Sequence, residues 1–320
     1  MGRNTVGVDL GGTKVKAALV REDGTIVYSV RKLTNAANGS DSVIATVVEA
    51  VQECLQRGTS TAVGLGVAGQ IDPHSGDVIF APNLGWRDVP LRAELQRQVG
   101  LPVLIMNDVR AATFGEWTYG AVPQVPHMLC LWVGTGIGGG VVTGGEILEG
   151  CNNSAAELGH MTIVADGRRC RCPSVGCLEA YVGGWAIAER TQELIRLDVE
   201  RGRRILEIAG SLEGISAKSV SAAYTERDAL APQIVEQTAR YLAAGVVASI
   251  NAFNPCVLVL GGGVIEGIPA LVDLAEPDIR KRALPSATAN LKILRPSLAT
   301  NAGCIGAAVL ARTVATEDAR

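Results

Sequence analysis

Blocks of lysine and arginine are missing from this chain. Its formal net charge is −3, from 29 basic and 32 acidic residues, and nonspecific binding to a phosphate backbone needs clustered cations. Nucleic acid is therefore not an expected partner. A charged leader followed by a short apolar run is missing as well, since a strand pattern begins at Thr5, and no secretory signal is expected. No proline-rich or low-complexity linker divides the chain. One uncharged stretch, Tyr241 to Ile265, has the length of a membrane span. Asn251, Asn254-Pro255 and Gly261-Gly262-Gly263 interrupt it, so a helix, a turn and a buried strand are expected and no membrane partner.

What is present suits two globular domains: 320 residues, 48% hydrophobic and 19% charged, suffice to bury real cores. Of the eight cysteines, Cys54, Cys130, Cys151, Cys256 and Cys304 are scattered among apolar or small neighbours. That scatter suggests no disulfide framework, and a reducing cytoplasm is the expected compartment.

Three short strands, Val6 to Leu10, Val15 to Val20 and Thr25 to Val30, are separated by Gly11-Gly12 and Asp23-Gly24 turns and read as an antiparallel meander. Ser42 to Gln56 puts Val43, Val47, Val48, Val51 and Leu55 on one helical stripe, and Ala62 to Val67 is a buried strand. A second round opens with Met128 to Val133, turns on Gly134-Thr135-Gly136-Ile137-Gly138-Gly139-Gly140 and returns through Val141-Val142. Helical patterns follow over Gly184 to Leu197 and Pro232 to Asn251, then a strand from Val257 to Leu260. A small-residue helix spans Asn301 to Arg312.

Glycine lets backbone N–H groups approach a phosphate closely. Asp9-Leu10-Gly11-Gly12-Thr13 offers two glycines, a hydroxyl and a carboxylate at one hairpin, although an ordinary hairpin with glycines at its tip fits equally well. Gly134-x-Gly136-x-x-Gly139 formally matches a dinucleotide fingerprint, which demands a following helix. Here strand and turn follow, so a second phosphate hairpin is the better reading, and no Walker A sequence competes with it. Asp108 stands between the apolar run Val103 to Met106 and a helical pattern, where an N-cap is the plain reading and a catalytic carboxylate the functional one. Asn83 alone is an unremarkable turn residue.

The strongest motif is Glu157-Leu158-Gly159-His160, followed by Cys170-Arg171-Cys172 and Cys177-Leu178-Glu179. His160, Cys170, Cys172 and Cys177 supply four ligands for tetrahedral zinc with no open water position, which makes the ion structural. Three unrelated thiols and a stray histidine are the plain alternative.

Taken together, these motifs resemble the ROK sugar-kinase family (repressors, open reading frames, kinases) from about Val6 to about Ala311. The resemblance implies an α/β, two-domain actin-like ATPase (ribonuclease H-like) fold with an interdomain cleft. Residues 1–120 with 300–320 would form the small domain and 121–299 the large one. It assigns Asp9, Gly11, Gly12, Thr13 and Lys14 to the nucleotide, Asp9 near Mg2+ and Thr13 near a phosphate oxygen. Gly134, Thr135, Gly136 and Gly138 would form the second phosphate hairpin, and Gly261, Gly262 and Gly263 the adenosine-side turn. Asp108 would be the base that takes the proton of the attacking sugar hydroxyl. Asn83, Asn107, Glu157, His160 and Glu179 would contact the sugar, with structural Zn2+ holding the loop and one imidazole nitrogen of His160 on the metal.

The partners implied are ATP and a hexose, in a homodimer or homotetramer. Asn83 to Leu91 looks most like the glucokinase branch, with fructose, allose, mannose or N-acetylmannosamine as other possible substrates and polyphosphate as another donor. Pro173 stands where the family commonly has glycine, Ala68 where proline is frequent, and Arg110 where a small or amide residue is common. The arginine bears on sugar or phosphate preference. A sugar-responsive repressor of the same family would carry a helix-turn-helix ahead of the first hairpin, for which the residues before Val6 leave no room. A non-catalytic sugar sensor fits poorly with Asp108 and both phosphate hairpins, and an actin-like assembly protein has no use for the cysteine cluster.

Overall fold

The computed structural model describes residues 4–317; residues 1–3 and 318–320, at the ends of the expected small domain, lie outside the described residues. The chain forms two compact units, residues 1–126 with 144–155 and 296–320, and residues 127–143 with 156–295.

In the first unit the meander is β1 (Thr5–Leu10), β2 (Lys14–Val20) and β3 (Ile26–Leu33), followed by α1 (Ser40–Leu55) and β4 (Val63–Val67). A small sheet of β5 (Gln70–Ile71), β6 (Val78–Ala81) and β7 (Trp86–Val89) then precedes α2 (Leu91–Val99), β8 (Val103–Asn107) and α3 (Asp108–Tyr119). The main sheet runs β3-β2-β1-β4-β8. β1 is antiparallel to β2 and parallel to β4, which is parallel to β8. Helix α1 buries Val43, Val47, Val48 and Val51 on one stripe, the face its 3.6-residue period selects.

The C-terminal helix Ala302–Glu317 returns to this unit and lies close against β1, β4 and α3. Small residues make that approach possible. A β-carbon on Gly64 would sit 1.9 Å from the Ala307 carbonyl oxygen, and one on Gly306 only 1.7 Å from that of Ala111. Both are backbone collisions that no rotamer can relieve. Gly306→Ala is therefore expected to cost about 1–3 kcal/mol, the scale of overpacking a tight core, read as a lower thermal midpoint. An unchanged midpoint would contradict this packing.

The second unit opens with the antiparallel pair β9 (His127–Val133) and β10 (Ile137–Thr143). The short strand β11 (Glu146–Ile147) follows in the segment assigned to the first unit. Next come α4 (Glu179–Val182), α5 (Gly184–Leu197), α6 (Arg203–Ala209), α7 (Ala217–Thr225) and α8 (Ala231–Phe253). β12 (Val257–Gly261), α9 (Gly263–Gly267), α10 (Ala270–Arg282), α11 (Pro285–Thr288) and β13 (Lys292–Leu294) complete it. Its strands run β10-β9-β12-β13, with β9 parallel to β12 and β12 to β13. The order of one antiparallel and two parallel pairings in β2-β1-β4-β8 is thereby repeated, the first unit adding a second antiparallel pair, β2 with β3.

The uncharged stretch resolves into the end of α8, a left-handed Asn254 with φ 43° and the fully buried β12. No helix among the described residues is long and apolar enough to cross a membrane. Segment 144–155 is grouped with the first unit. The buried Arg110 guanidinium donates to the Asn153 side chain and, at 3.0 Å, to its carbonyl, and Asn153 Nδ2 donates to Ile71 O at 3.3 Å.

Candidate functional site

In the first unit the candidates gather at the carboxyl ends of the parallel strands, where α/β sheets usually present functional loops. The registers place Asp9 beside Gly66 and Gly66 beside Met106, so the hairpin after β1 and Asp108 after β8 are separated by two strand spacings, about 10 Å. The hairpin tip is closed by Gly11 N donating to Lys14 O at 3.0 Å, and Thr34 Oγ1 donates to Gly11 O at 2.7 Å. Thr13 and Lys14 are exposed. A β-carbon on Gly12 would lie 2.8 Å from Asn83 O, so the turn Pro82–Leu84 rests directly on this hairpin. Burial raises the Asp9 carboxyl above its ordinary value, while Lys16, its cross-strand partner, opposes the rise.

Asp108 is not the N-cap that its setting suggested. Asn107 caps α3, its Oδ1 accepting from Val109 N at 3.0 Å and Arg110 N at 3.1 Å. Asp108 is the first helical residue, half-buried, with Oδ1 accepting from Val109 N at 2.9 Å. The reason is length: the backbone leaves extended geometry at Asn107, and an amide oxygen serves the cap as well as a carboxylate. The Asn107 carbonyl is thus committed to the helix, and its Nδ2 carries what it could offer a sugar. Arg110, two residues on, directs its guanidinium to Asn153.

In the second unit, Gly134-Thr135-Gly136 forms the β9–β10 turn, with Gly134 N donating to Gly136 O at 2.9 Å, and Gly138 lies in β10 itself. A strand follows these glycines and the dinucleotide reading has no support here. Their small size is used locally. A β-carbon on Gly136 would come within 2.5 Å of Glu179 Oε2, and one on Gly159 within 2.2 Å of Ile137 O. The hairpin therefore seats both the Glu179 carboxylate and the single helical turn Leu158–His160, which Glu157 precedes. Glu179 is 9% exposed. Its Oε2 accepts from Ile137 N at 2.8 Å and its Oε1 from Trp185 Nε1 at 3.2 Å. Gly261 closes β12, Gly262 has φ 97°, and Gly263 begins α9.

His160, Cys170, Cys172 and Cys177 converge, with one ligand atom from each lying within 4.8 Å of the others. Cys172 Sγ and Cys177 Sγ are 3.6 Å apart, and His160 Nδ1 is 3.8 Å from Cys170 Sγ. Ligands about 2.0–2.3 Å from one tetrahedral ion stand roughly 3.3–3.8 Å from one another, so the set fits zinc. Disulfide sulfurs would be about 2.05 Å apart. Backbone bonds brace the cluster, Cys170 N to Ser174 O at 3.0 Å and Leu178 N to Met161 O at 2.9 Å. Burial pushes the Cys170 thiol up to about 12 and raises Cys177 as well. A metal here must displace protons, and occupancy falls as pH falls.

Trp185, Arg171 and the Ile137 amide escaped the sequence reading. A backbone donor leaves no trace in residue identity, and a tryptophan at a helix start gives no periodic signature.

Comparison with known proteins places the chain among sugar-handling relatives. The sequence profile of the ROK family matches residues 5–314. A glucokinase of Streptomyces coelicolor is 32% identical over 310 residues, covering 96% of this chain and 97% of its own. A glucokinase of Thermotoga maritima is 35% identical over 304 residues, 95% of each. The crystal structure of a ROK family glucokinase from Streptomyces griseus in complex with glucose and AMPPNP is 33% identical and superposes with a TM-score of 0.85, covering 97% of this chain and 99% of that one.

Proposed function

The chain belongs to the ROK family, and from that premise we infer that it is an ATP-dependent hexose kinase, a glucokinase that transfers the γ-phosphate of ATP to the 6-hydroxyl of glucose. Its fold is the two-domain actin-like ATPase fold. The single observation that carries the reaction to this chain is Asp108, a half-buried carboxylate at the end of a parallel strand, two strands from a Gly-Gly hairpin whose Thr13 and Lys14 are exposed.

Asp108 accepts the proton of the sugar hydroxyl as its oxygen attacks the γ-phosphorus. The new O–P bond forms while the bond to the β,γ-bridging oxygen breaks, and ADP leaves. Little covalent chemistry remains for the protein, so positioning and charge stabilisation dominate. The hairpins Gly11-Gly12-Thr13 and Gly134-Thr135-Gly136 would cradle the phosphates, with Lys14 beside the first and Asp9 facing the Mg2+ carried by ATP. Gly261-Gly262-Gly263 would line the adenosine. Glu157, His160, Glu179, Asn83 and Asn107 would bind the sugar hydroxyls.

His160, Cys170, Cys172 and Cys177 would hold structural Zn2+. A bound zinc ion cross-links the loop without entering the chemistry, because four protein ligands leave no open position. With Nδ1 turned to the thiols, Nε2 of His160 is the nitrogen that would meet the sugar.

A coupled ADP-release assay over a panel of hexoses, with ATP and Mg2+, tests the reading. Glucose should give the highest kcat/KM and glucose 6-phosphate should accumulate. Turnover of another hexose would move the substrate, turnover with polyphosphate alone would move the donor, and none with any hexose would remove the kinase.

A further inference from the structure

We propose that Trp185 is a positioning residue for the sugar-binding carboxylate and that Arg171 ties it to the cysteine loop. The proposal rests on the reading of Glu179 as a sugar ligand. Glu179 is buried, and among the described residues no lysine or arginine forms an ion pair with it. Two neutral N–H donors hold it instead, the Ile137 amide on Oε2 and the Trp185 indole on Oε1, and the Cys170 thiol reaches Oε1 more loosely at 4.0 Å. A carboxylate oxygen has two lone-pair directions. One N–H on each oxygen fixes the plane of the group and leaves the second direction of Oε2 for a hydroxyl, and that of Oε1 as well once a metal takes the Cys170 sulfur as thiolate.

Trp185 is itself fixed from three sides. Its backbone N donates to Thr135 O at 3.3 Å, and Gly184 N donates to Gly134 O at 2.9 Å, so the start of α5 is capped by carbonyls of the β9–β10 turn. The Arg171 guanidinium carbon lies 4.4 Å from the centroid of the indole ring, within cation–π range. Arg171 also reaches Glu189 Oε1 at 3.2 Å, one helical turn beyond Trp185 on α5. It stands between Cys170 and Cys172, two of the four metal ligands, so Arg171 lays the metal loop on α5 beside Trp185, while Arg168 of the same loop pairs with Glu193 further along the helix at 2.6 Å. A path therefore runs from the cysteine loop through Arg171 and the indole to the carboxylate.

The test uses the zinc-loaded full chain. Trp185→Phe keeps an aromatic ring under Arg171 and deletes only the N–H. Glucose Kd, measured by calorimetry without nucleotide, should rise about 10- to 150-fold, the cost of losing one hydrogen bond to a charged group. The KM for ATP should stay unchanged and kcat should stay within about three-fold. Arg171→Met should raise glucose Kd by a smaller factor. Stripping the metal with a chelator should shift tryptophan emission in the wild type, and by much less in Trp185→Phe. An unchanged glucose Kd in Trp185→Phe overturns the proposal, as does an equal loss of glucose and ATP affinity with a lowered thermal midpoint, which marks a merely structural role. If the wild type binds glucose, such a failure leaves the kinase intact. If the wild type binds no hexose, the reading of Glu179 falls and the proposal with it.

Discussion

Asp108→Asn should lower kcat by about 10²- to 10⁴-fold, the usual contribution of a positioned general base, while glucose Kd changes only a few-fold. The separation follows from geometry. Asparagine is isosteric, can still accept from the Val109 amide at the start of α3, and leaves the Asn107 cap untouched. What it loses is the ability to take a proton. The attacking oxygen must then shed its proton to water or to the phosphate itself, and the barrier rises without a change in how the sugar sits. Single-turnover phosphoryl transfer together with nucleotide-free calorimetry separates the two quantities. Wild-type turnover in the variant would remove Asp108 as the base. A parallel collapse of sugar binding would instead make it a sugar ligand first.

Cys172→Ser should reduce bound zinc from about one per chain to a trace and raise glucose KM ten-fold or more, in line with the effects of disturbing metal-site architecture. Serine is a poor zinc ligand, and the three remaining groups cannot close a tetrahedral site. Apart from the metal, the loop between His160 and Cys177 is held by isolated bridges, Thr162 to Cys177 and Arg169 to Val175, rather than a ladder, and by the Arg168–Glu193 and Arg171–Glu189 ion pairs at its surface. Releasing it frees His160 at one end and Cys177, two residues before Glu179, at the other. His160 and Glu179 would face the sugar, so sugar affinity should suffer more than ATP binding. Elemental analysis of the purified wild type is the decisive control, because protein that is active and contains no zinc would sink the proposal.

Much of this architecture could be read in the chain. The Gly11-Gly12 turn, the stripe on α1 and the buried run from Val257 carry local signatures that tertiary context does not override, and they appear as hairpin, helix and strand. The cysteine spacing likewise predicted a cluster that the fold draws together. Other features depend on partners far apart in sequence. Whether Asn107 or Asp108 caps α3 turns on one residue of backbone geometry, finer than periodicity can resolve. The docking of segment 144–155 on the first unit depends on Arg110 meeting Asn153. The spacing of glycines in Gly134 to Gly140 was legible, but their use as room for Glu179 and for the backbone around Leu158 was not. A glycine gives no indication of what approaches it.

The C-terminal helix has a consequence for how the molecule comes into being. Strands β1 and β4 are synthesised long before the helix that covers one face of them, which begins at Ala302. Ala307 must find Gly64 across more than two hundred intervening residues, a long loop to close and a slow contact to make. All of the second unit lies inside that interval. It can mature while the ribosome is still at work, whereas the first sheet must wait with an apolar face open until residues 302–317 have been made. Newly made chains are thus most vulnerable to aggregation at the first sheet, and this interval is where a chaperone would have most to protect.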